Sequence, residues 1–298
     1  MVELALVEGV RRRMGDALFA RVAGTKGPAR RQRIHGRPGP RWFPADAAIR
    51  RVHGDASMFV GGVRALLLQS LHPQAMAAVA AHSGYQGDPW GRLERTSTFL
   101  ATTTFGAADD AAAVVAHVRA VHGRIRGTTP DGVPYAASDP HLLRWVHVAE
   151  VDSFLAAHQL YGEHPLDPAG CDRYVADVAV VGRRLGVIDP PTTLRELRAE
   201  LEAFRPELAA TPAAREAARF ILLRPPVPVV ALPAYSALTG AAVALLPPWS
   251  RRPLGLPYLP PVEQTVVRAA GRGITSLIRW VLPPAPATPG LPVGATAA

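Results

Sequence analysis

Residues Gly91 to Arg126 read GRLERTSTFLATTTFGAADDAAAVVAHVRAVHGRIR, two periodic stretches parted near Phe105-Gly106. In the second stretch Ala111, Val114, Val115, Val118, His122, Ile125 and Arg126 recur at spacings of three and four, which is one face of a helix. The periodicity predicts helices over 91–103 and 108–126, with His122 on the apolar stripe and buried, and His117 on the opposite, exposed side. Arg92 and Thr96 are four apart, as are His122 and Arg126, so each pair is predicted to share a helix face. A face presenting arginine with threonine, beside one presenting histidine with arginine, suits a pocket for an iron cofactor and an anionic group.

Outward from that segment the chain continues as helices with marked ends. Asp139-Pro140, Asp167-Pro168 and Thr211-Pro212 each place a capping acceptor before a first-turn proline. Thr193-Leu194-Arg195-Glu196 is a capping box, and Gly162 and Gly186 fall where helices should stop. These signals predict helices near 57–71, 73–82, 140–161, 168–185, 193–205 and 212–223. After a proline-rich crossing from Arg224 to Pro233, two more are expected at about 234–246 and 261–281. Residues 2–22 read as a basic amphipathic helix. Gly24 to Pro40, with Lys26, Arg30, Arg31, Arg33 and Arg37, reads as a mobile, solvated basic arm, the alternative being a membrane-surface or nucleic-acid contact. The fold class is therefore all-α, a single multi-helix domain over 45–283, preceded by a basic helix and arm over 1–44 and followed by a disordered tail over 284–298.

Composition agrees. A chain of 298 residues with 48% hydrophobic content can bury one sizeable core, and only 6% aromatics with abundant Ala, Leu and Arg favours long helices over a β-sandwich. The net charge of +9 comes almost entirely from dispersed arginines, which favours solubility and weak attraction to anionic surfaces over a nucleic-acid site. Cys171 is the only cysteine, so intrachain disulfides, thiolate-held zinc and iron–sulfur clusters are excluded. Charged residues through Met1 to Ala20 break any signal-peptide core, and a cytoplasmic location is expected. The apolar run 56–81 has transmembrane-like length but holds Arg64, Gln69 and His72-Pro73, so it is predicted to be a buried helix pair.

Several chemistries are absent from the motifs: no nucleophile elbow, phosphate loop, His-Glu-x-x-His, dinucleotide fingerprint or paired Glu-x-x-His occurs. A buried neutral imidazole needs a carbonyl, an acid or a metal as partner, and haem needs only one such histidine. His122 and His147 are the candidates; His147 sits among Leu143, Val151 and Phe154, with Arg144 and Glu150 a turn away. Either could equally be a hydrogen-bonded core histidine. Arg64 has two readings, an ion pair with Asp55 or another acid, or a contact to a haem propionate. Arg92 and Arg95 flank Glu94 and could pair on the surface, while Thr96 could belong to a threonine-rich helix end.

The order of landmarks is more specific than any one of them. It runs Val52-His53-Gly54-Asp55, Gly62-Val63-Arg64, His72-Pro73, His82-Ser83, Gly91-Arg92-Leu93 with Thr96, Phe105-Gly106 and His122, then Tyr135 to Pro140, Leu143 to His147, Asp152-Ser153 and Gly186-Val187. Over about 45–250 this resembles the MpaB-like oxygenase family, whose catalytic domain is shared with latex-clearing protein, a rubber oxygenase. The resemblance implies an all-helical fold around haem b, with His122 as proximal iron ligand in a His-x-x-x-Arg pattern that includes Arg126, and with Arg92 and Thr96 near the haem. Dioxygen would bind opposite, and the substrate would be apolar, isoprenoid or otherwise unsaturated. Latex-clearing members carry a lysine just before that threonine and a second histidine after His-x-x-x-Arg; here Arg95 and Gly127 stand at those places, and no residue matches their carboxylate base. A haem protein that binds oxygen without turnover is the alternative, and a cofactor-free helical scaffold for lipid or a partner is a third.

Overall fold

Four helices of this chain start at an acceptor followed by proline, as the computed structural model, which describes residues 2–282, shows at Asp88, Asp139, Asp167 and Thr211. In order the helices are α1 (Val2–Ala23), α2 (Gly27–Gly36), α3 (Ala48–His53), α4 (Met58–Gln69), α5 (Pro73–His82), α6 (Pro89–Phe105) and α7 (Ala108–His122). A two-stranded sheet follows, β1 (Arg126–Thr128) against β2 (Pro134–Ala136). Then come α8 (Pro140–Tyr161), α9 (Pro168–Leu185), α10 (Leu194–Ala203), α11 (Pro212–Leu223), α12 (Leu232–Ala244), α13 (Pro248–Arg251), α14 (Pro260–Val262) and α15 (Arg268–Val281). The described residues form an all-α domain with that one small sheet.

The caps are where the dipeptides put them. Asp139 accepts from the His141 N–H at 2.8 Å, Asp167 from Gly170 at 2.6 Å and Thr211 from Ala214 at 3.2 Å. Each satisfies a first-turn N–H that no helical carbonyl can reach. Thr193 caps α10 through the Glu196 N–H, and the Glu196 carboxylate reaches back to the N–H of Thr192. Gly186 stops α9 at φ +106°, a left-handed value that glycine adopts without strain, with Val187 N–H donating to Gly182 O at 3.0 Å. Gly162 ends α8 differently, in an extended conformation at φ −65°.

Two expectations are corrected. The helix containing His122 ends at His122 instead of 126, because the Thr129-Pro130-Asp131-Gly132 turn, with Gly132 at φ +89°, folds the chain back and draws Arg126–Thr128 into the sheet. His122 and Arg126 therefore do not share a helix face. The basic segment 24–40 is also not a solvated arm. It forms α2, whose Arg30 pairs with Glu94 on α6 and whose Arg33 (2.7 Å) and Arg37 both pair with Asp110 on α7. The tail expected to be disordered lies outside the described residues.

The core centres on α8, whose Trp145, Val148, Ala149, Val151 and Ala157 are fully buried. Each large apolar side chain buried this way contributes roughly 1.5–3 kcal/mol. Helix α4 crosses α8 so closely that a β-carbon on Gly61 would lie 2.7 Å from Phe154 Cδ1, so only glycine permits the approach. The apolar run 56–81 becomes α4 and α5, broken at His72-Pro73. No helix of the described residues is long and apolar enough to cross a membrane.

Candidate functional site

Helices α6 and α7 pack against one another about the Gly106-Ala107 turn. The first half of α6 carries Arg92, Arg95 and Thr96, and His122 is the last residue of α7. Asp88 holds the first turn of α6 by accepting from Gly91 N–H at 2.8 Å. Arg92 is half-buried and donates to Ser83 Oγ at 2.7 Å. Burial, helped by the neighbouring Arg95 charge, lowers its pKa, so this guanidinium gains by meeting an anion. Arg95 is exposed and turns to Asp88 at 3.5 Å, and Thr96 is exposed one helical turn beyond Arg92.

His122 is half-buried at the last residue of α7, with Nδ1 buried and without a hydrogen-bond partner. Burial lowers its pKa, which keeps the ring neutral with a lone pair available. Arg126 is exposed on β1. Across from Gly127 on β2, Tyr135 is buried, and its hydroxyl shares a hydrogen bond of 3.2 Å with His82 Nε2.

The two remaining candidates lie in the interior. Arg64 on α4 is 3% exposed, and all its donor groups are engaged: Nε with Leu245 O at 2.9 Å, and the other two nitrogens with Ser153 Oγ and Asp152 Oδ2, both at 2.6 Å. It ties α4 to α8 and to the end of α12, which is the ion-pair reading with Asp152 as the acid; Asp55 pairs with Arg279 at 2.9 Å instead. His147 on α8 is buried against Gly182 of α9, where a β-carbon would stand 2.8 Å from its Cε1. Its Nε2 is unpartnered, and burial with the nearby Arg144 and Arg183 charges lowers its pKa to about 4.

One residue gains weight only from the tertiary structure. Glu150 of α8 retains some accessible surface, yet burial pushes its carboxyl up to about 7. The carboxyl keeps partial exposure while the packing around it disfavours its charged form. Nearby, Tyr174 is fully buried and its pKa is raised well above the usual phenol value by burial, with the carboxylates of Glu150, Asp152 and Asp177 adding to the shift. The Tyr174 hydroxyl meets His53 Nε2 at 3.2 Å, and His53 Nδ1 meets Thr104 Oγ1 at 2.9 Å. Carboxyls poised near 7 in such surroundings are suited to proton transfer. The signal available in the sequence was an acid on the apolar stripe of α8 between Val146 and Phe154.

Haem fits these residues on one count that the structure supplies: a neutral, half-buried imidazole whose buried nitrogen has no protein partner. The family model described as ER-bound oxygenase mpaB/B'/rubber oxygenase, catalytic domain, matches residues 50–280. No curated protein and no solved structure matches the chain.

Proposed function

Because the chain belongs to the mpaB/rubber oxygenase catalytic-domain family, we propose that this oxygenase depends on haem b and uses dioxygen to oxidise an apolar, isoprenoid or otherwise unsaturated substrate. The observation that carries the haem assignment is the unpartnered His122 Nδ1, in a ring that burial keeps neutral. His122 would hold the iron, and Arg92 and Arg126 would pair with the propionates. When bound, haem supplies the redox chemistry that lets dioxygen react with a hydrocarbon.

The protein's own contributions follow from position and charge. Arg95 and Thr96, both in the first half of α6, would serve as hydrogen-bond donors to oxygen. Glu150, poised near 7, holds or releases a proton at its carboxyl on α8. Half-buried apolar side chains such as Phe99, Leu100 and Val146 offer a hydrocarbon a water-poor lining. His147 and Arg64 support the pocket, the second by fixing α4 to α8. Cleavage of a carbon–carbon double bond would place one atom of dioxygen on each new carbonyl and consume no external reductant.

The test is the absorption spectrum of the haem-supplied protein, followed by product analysis under heavy-isotope dioxygen. A Soret band that disappears in His122→Ala, with label in the carbonyl products of an unsaturated hydrocarbon, supports the reading. A full Soret band in His122→Ala rejects the ligand. Haem without any labelled product assigns the non-catalytic oxygen-binding reading instead, which the exposure of Thr96 and the turn of Arg95 toward Asp88 would then explain.

A further inference from the structure

Three metal-binding side chains from distant parts of the sequence meet where α5 and α8 begin. His72 precedes Pro73 at the start of α5, His141 lies in the first turn of α8, and Glu207 ends the short 3-10 turn Arg205–Glu207 after α10. One ligand atom from each lies within 4.8 Å of the other two. His141 Nε2 stands 2.7 Å and His72 Nε2 3.6 Å from the same oxygen, Glu207 Oε2. Donor atoms around a tetrahedral ion with bonds of ~2.1 Å stand about 3.4 Å apart, so only small side-chain shifts separate this arrangement from a coordination shell.

His72 points to a ligand independently of that spacing. It is 2% exposed, and neither ring nitrogen has a hydrogen-bond partner, whereas buried polar rings are ordinarily paired. Burial lowers its pKa, leaving a neutral imidazole with a lone pair. The surrounding frame is tied down. Ala209 N–H donates to Leu71 O at 2.8 Å and holds the Glu207 turn beside His72, while Trp145 Nε1–H donates to Gln69 O at 3.1 Å with its ring 6.3 Å from the His72 ring. Phe204 packs 4.9 Å from the His141 ring. The Asp139 carboxylate acts on His72 as well and offsets the positive ends of two helices that would otherwise oppose a cation.

We propose that His72, His141 and Glu207 form a site for a divalent transition ion, zinc foremost, that joins the starts of α5 and α8 to the turn after α10. Two imidazoles and one carboxylate select a borderline ion over magnesium or calcium, which take oxygen ligands. The side chains of His141 and Glu207 are 52% and 44% exposed, so the ion enters from solvent and keeps an outward position for water. The site shares no residue with the haem assignment.

The full chain, freed of any purification tag and with haem scored by its Soret band, is titrated with zinc chloride by calorimetry and with cobalt chloride by visible absorption. The expected result is one equivalent of zinc, a higher Tm on binding, and d–d bands from cobalt in an N2O environment. His141→Ala and Glu207→Gln, both at exposed side chains, should each weaken zinc by more than about 100-fold, beyond the loss typical of outer-shell changes. His122→Ala should keep the equivalent. Failure to bind stoichiometric zinc, undiminished binding in the His141→Ala/Glu207→Gln double variant, or loss of zinc in His122→Ala overturns the proposal.

Discussion

Gly127 and Tyr135 face each other across the two-stranded sheet, and a β-carbon on residue 127 would stand 2.6 Å from the Tyr135 ring carbon that bears the hydroxyl. The phenol thus occupies the space where the resemblance to latex-clearing relatives leads one to expect a histidine. Its hydrogen bond to His82 links the sheet to the end of α5, on the same side of the molecule as Ser83 and its partner Arg92.

Gly127→His should therefore force Tyr135 out of its buried position and break the contact with His82. Overpacking of this kind destabilises by about 1–3 kcal/mol. Urea unfolding of the variant checks the figure, and Gly127→His combined with Tyr135→Ala should recover part of the loss. An unchanged midpoint in the single variant would show that the phenol yields freely.

Arg64→Leu should destabilise by about 3–5 kcal/mol, because it strips Asp152 of its guanidinium partner beside the packed α4–α8 contact. Adding Asp152→Asn should restore much of the stability. Haem bound per folded molecule should stay constant in both variants, since the Arg64 nitrogens are already engaged within the protein. A drop in haem stoichiometry without a drop in stability would return Arg64 to the cofactor site.

His122 and His147 can be separated by one comparison. His122→Ala should lose the Soret band while keeping its helical circular dichroism, because the residue ends α7 and is only half-buried. His147→Ala should retain haem and instead lower Tm, since its ring fills the space over Gly182. The reverse pattern would move the iron ligand to α8.

Glu150 ties stability to pH with a definite sign. Its carboxyl is raised to about 7 from the ordinary value of 4.5, so between those values the folded protein binds more protons than the unfolded chain, and stability falls as pH rises through that window. The full shift corresponds to about 3 kcal/mol, and partial solvent access reduces it to about 1–2 kcal/mol. Glu150→Gln should then stabilise the protein by that amount at pH 8 and leave it unchanged at pH 4, as read by denaturant midpoints. The same variant should flatten any acid limb near 7 in the pH profile of turnover. A variant no more stable than the parent at pH 8 would show that the carboxyl is well solvated.

The helices were legible because their ends are local chemistry. An aspartate or threonine before a proline satisfies orphan N–H groups within three residues, and a glycine past the last turn reaches φ +106° without tertiary help, so α8, α9 and α11 appear at 140–161, 168–185 and 212–223 as expected. The ordered motifs likewise led to the family. Local periodicity failed where a turn competed with it: the stripe through His122 continues in register to Arg126, yet the Pro130–Gly132 turn takes Arg126 into a strand.

What only the tertiary structure decided depends on partners far away in sequence. Arg30, Arg33 and Arg37 read as a solvated arm until α6 and α7 bring Glu94 and Asp110 beside them. Arg64 finds Asp152 across 88 residues, Glu150 acquires its raised pKa only when neighbouring helices strip its water, and His72 meets Glu207 only once the turn after α10 is pinned against the start of α5. Caps and periodicity act through a few consecutive residues and are written in the chain. Desolvation and charge pairing act through space, and the folded packing alone sets which groups share it.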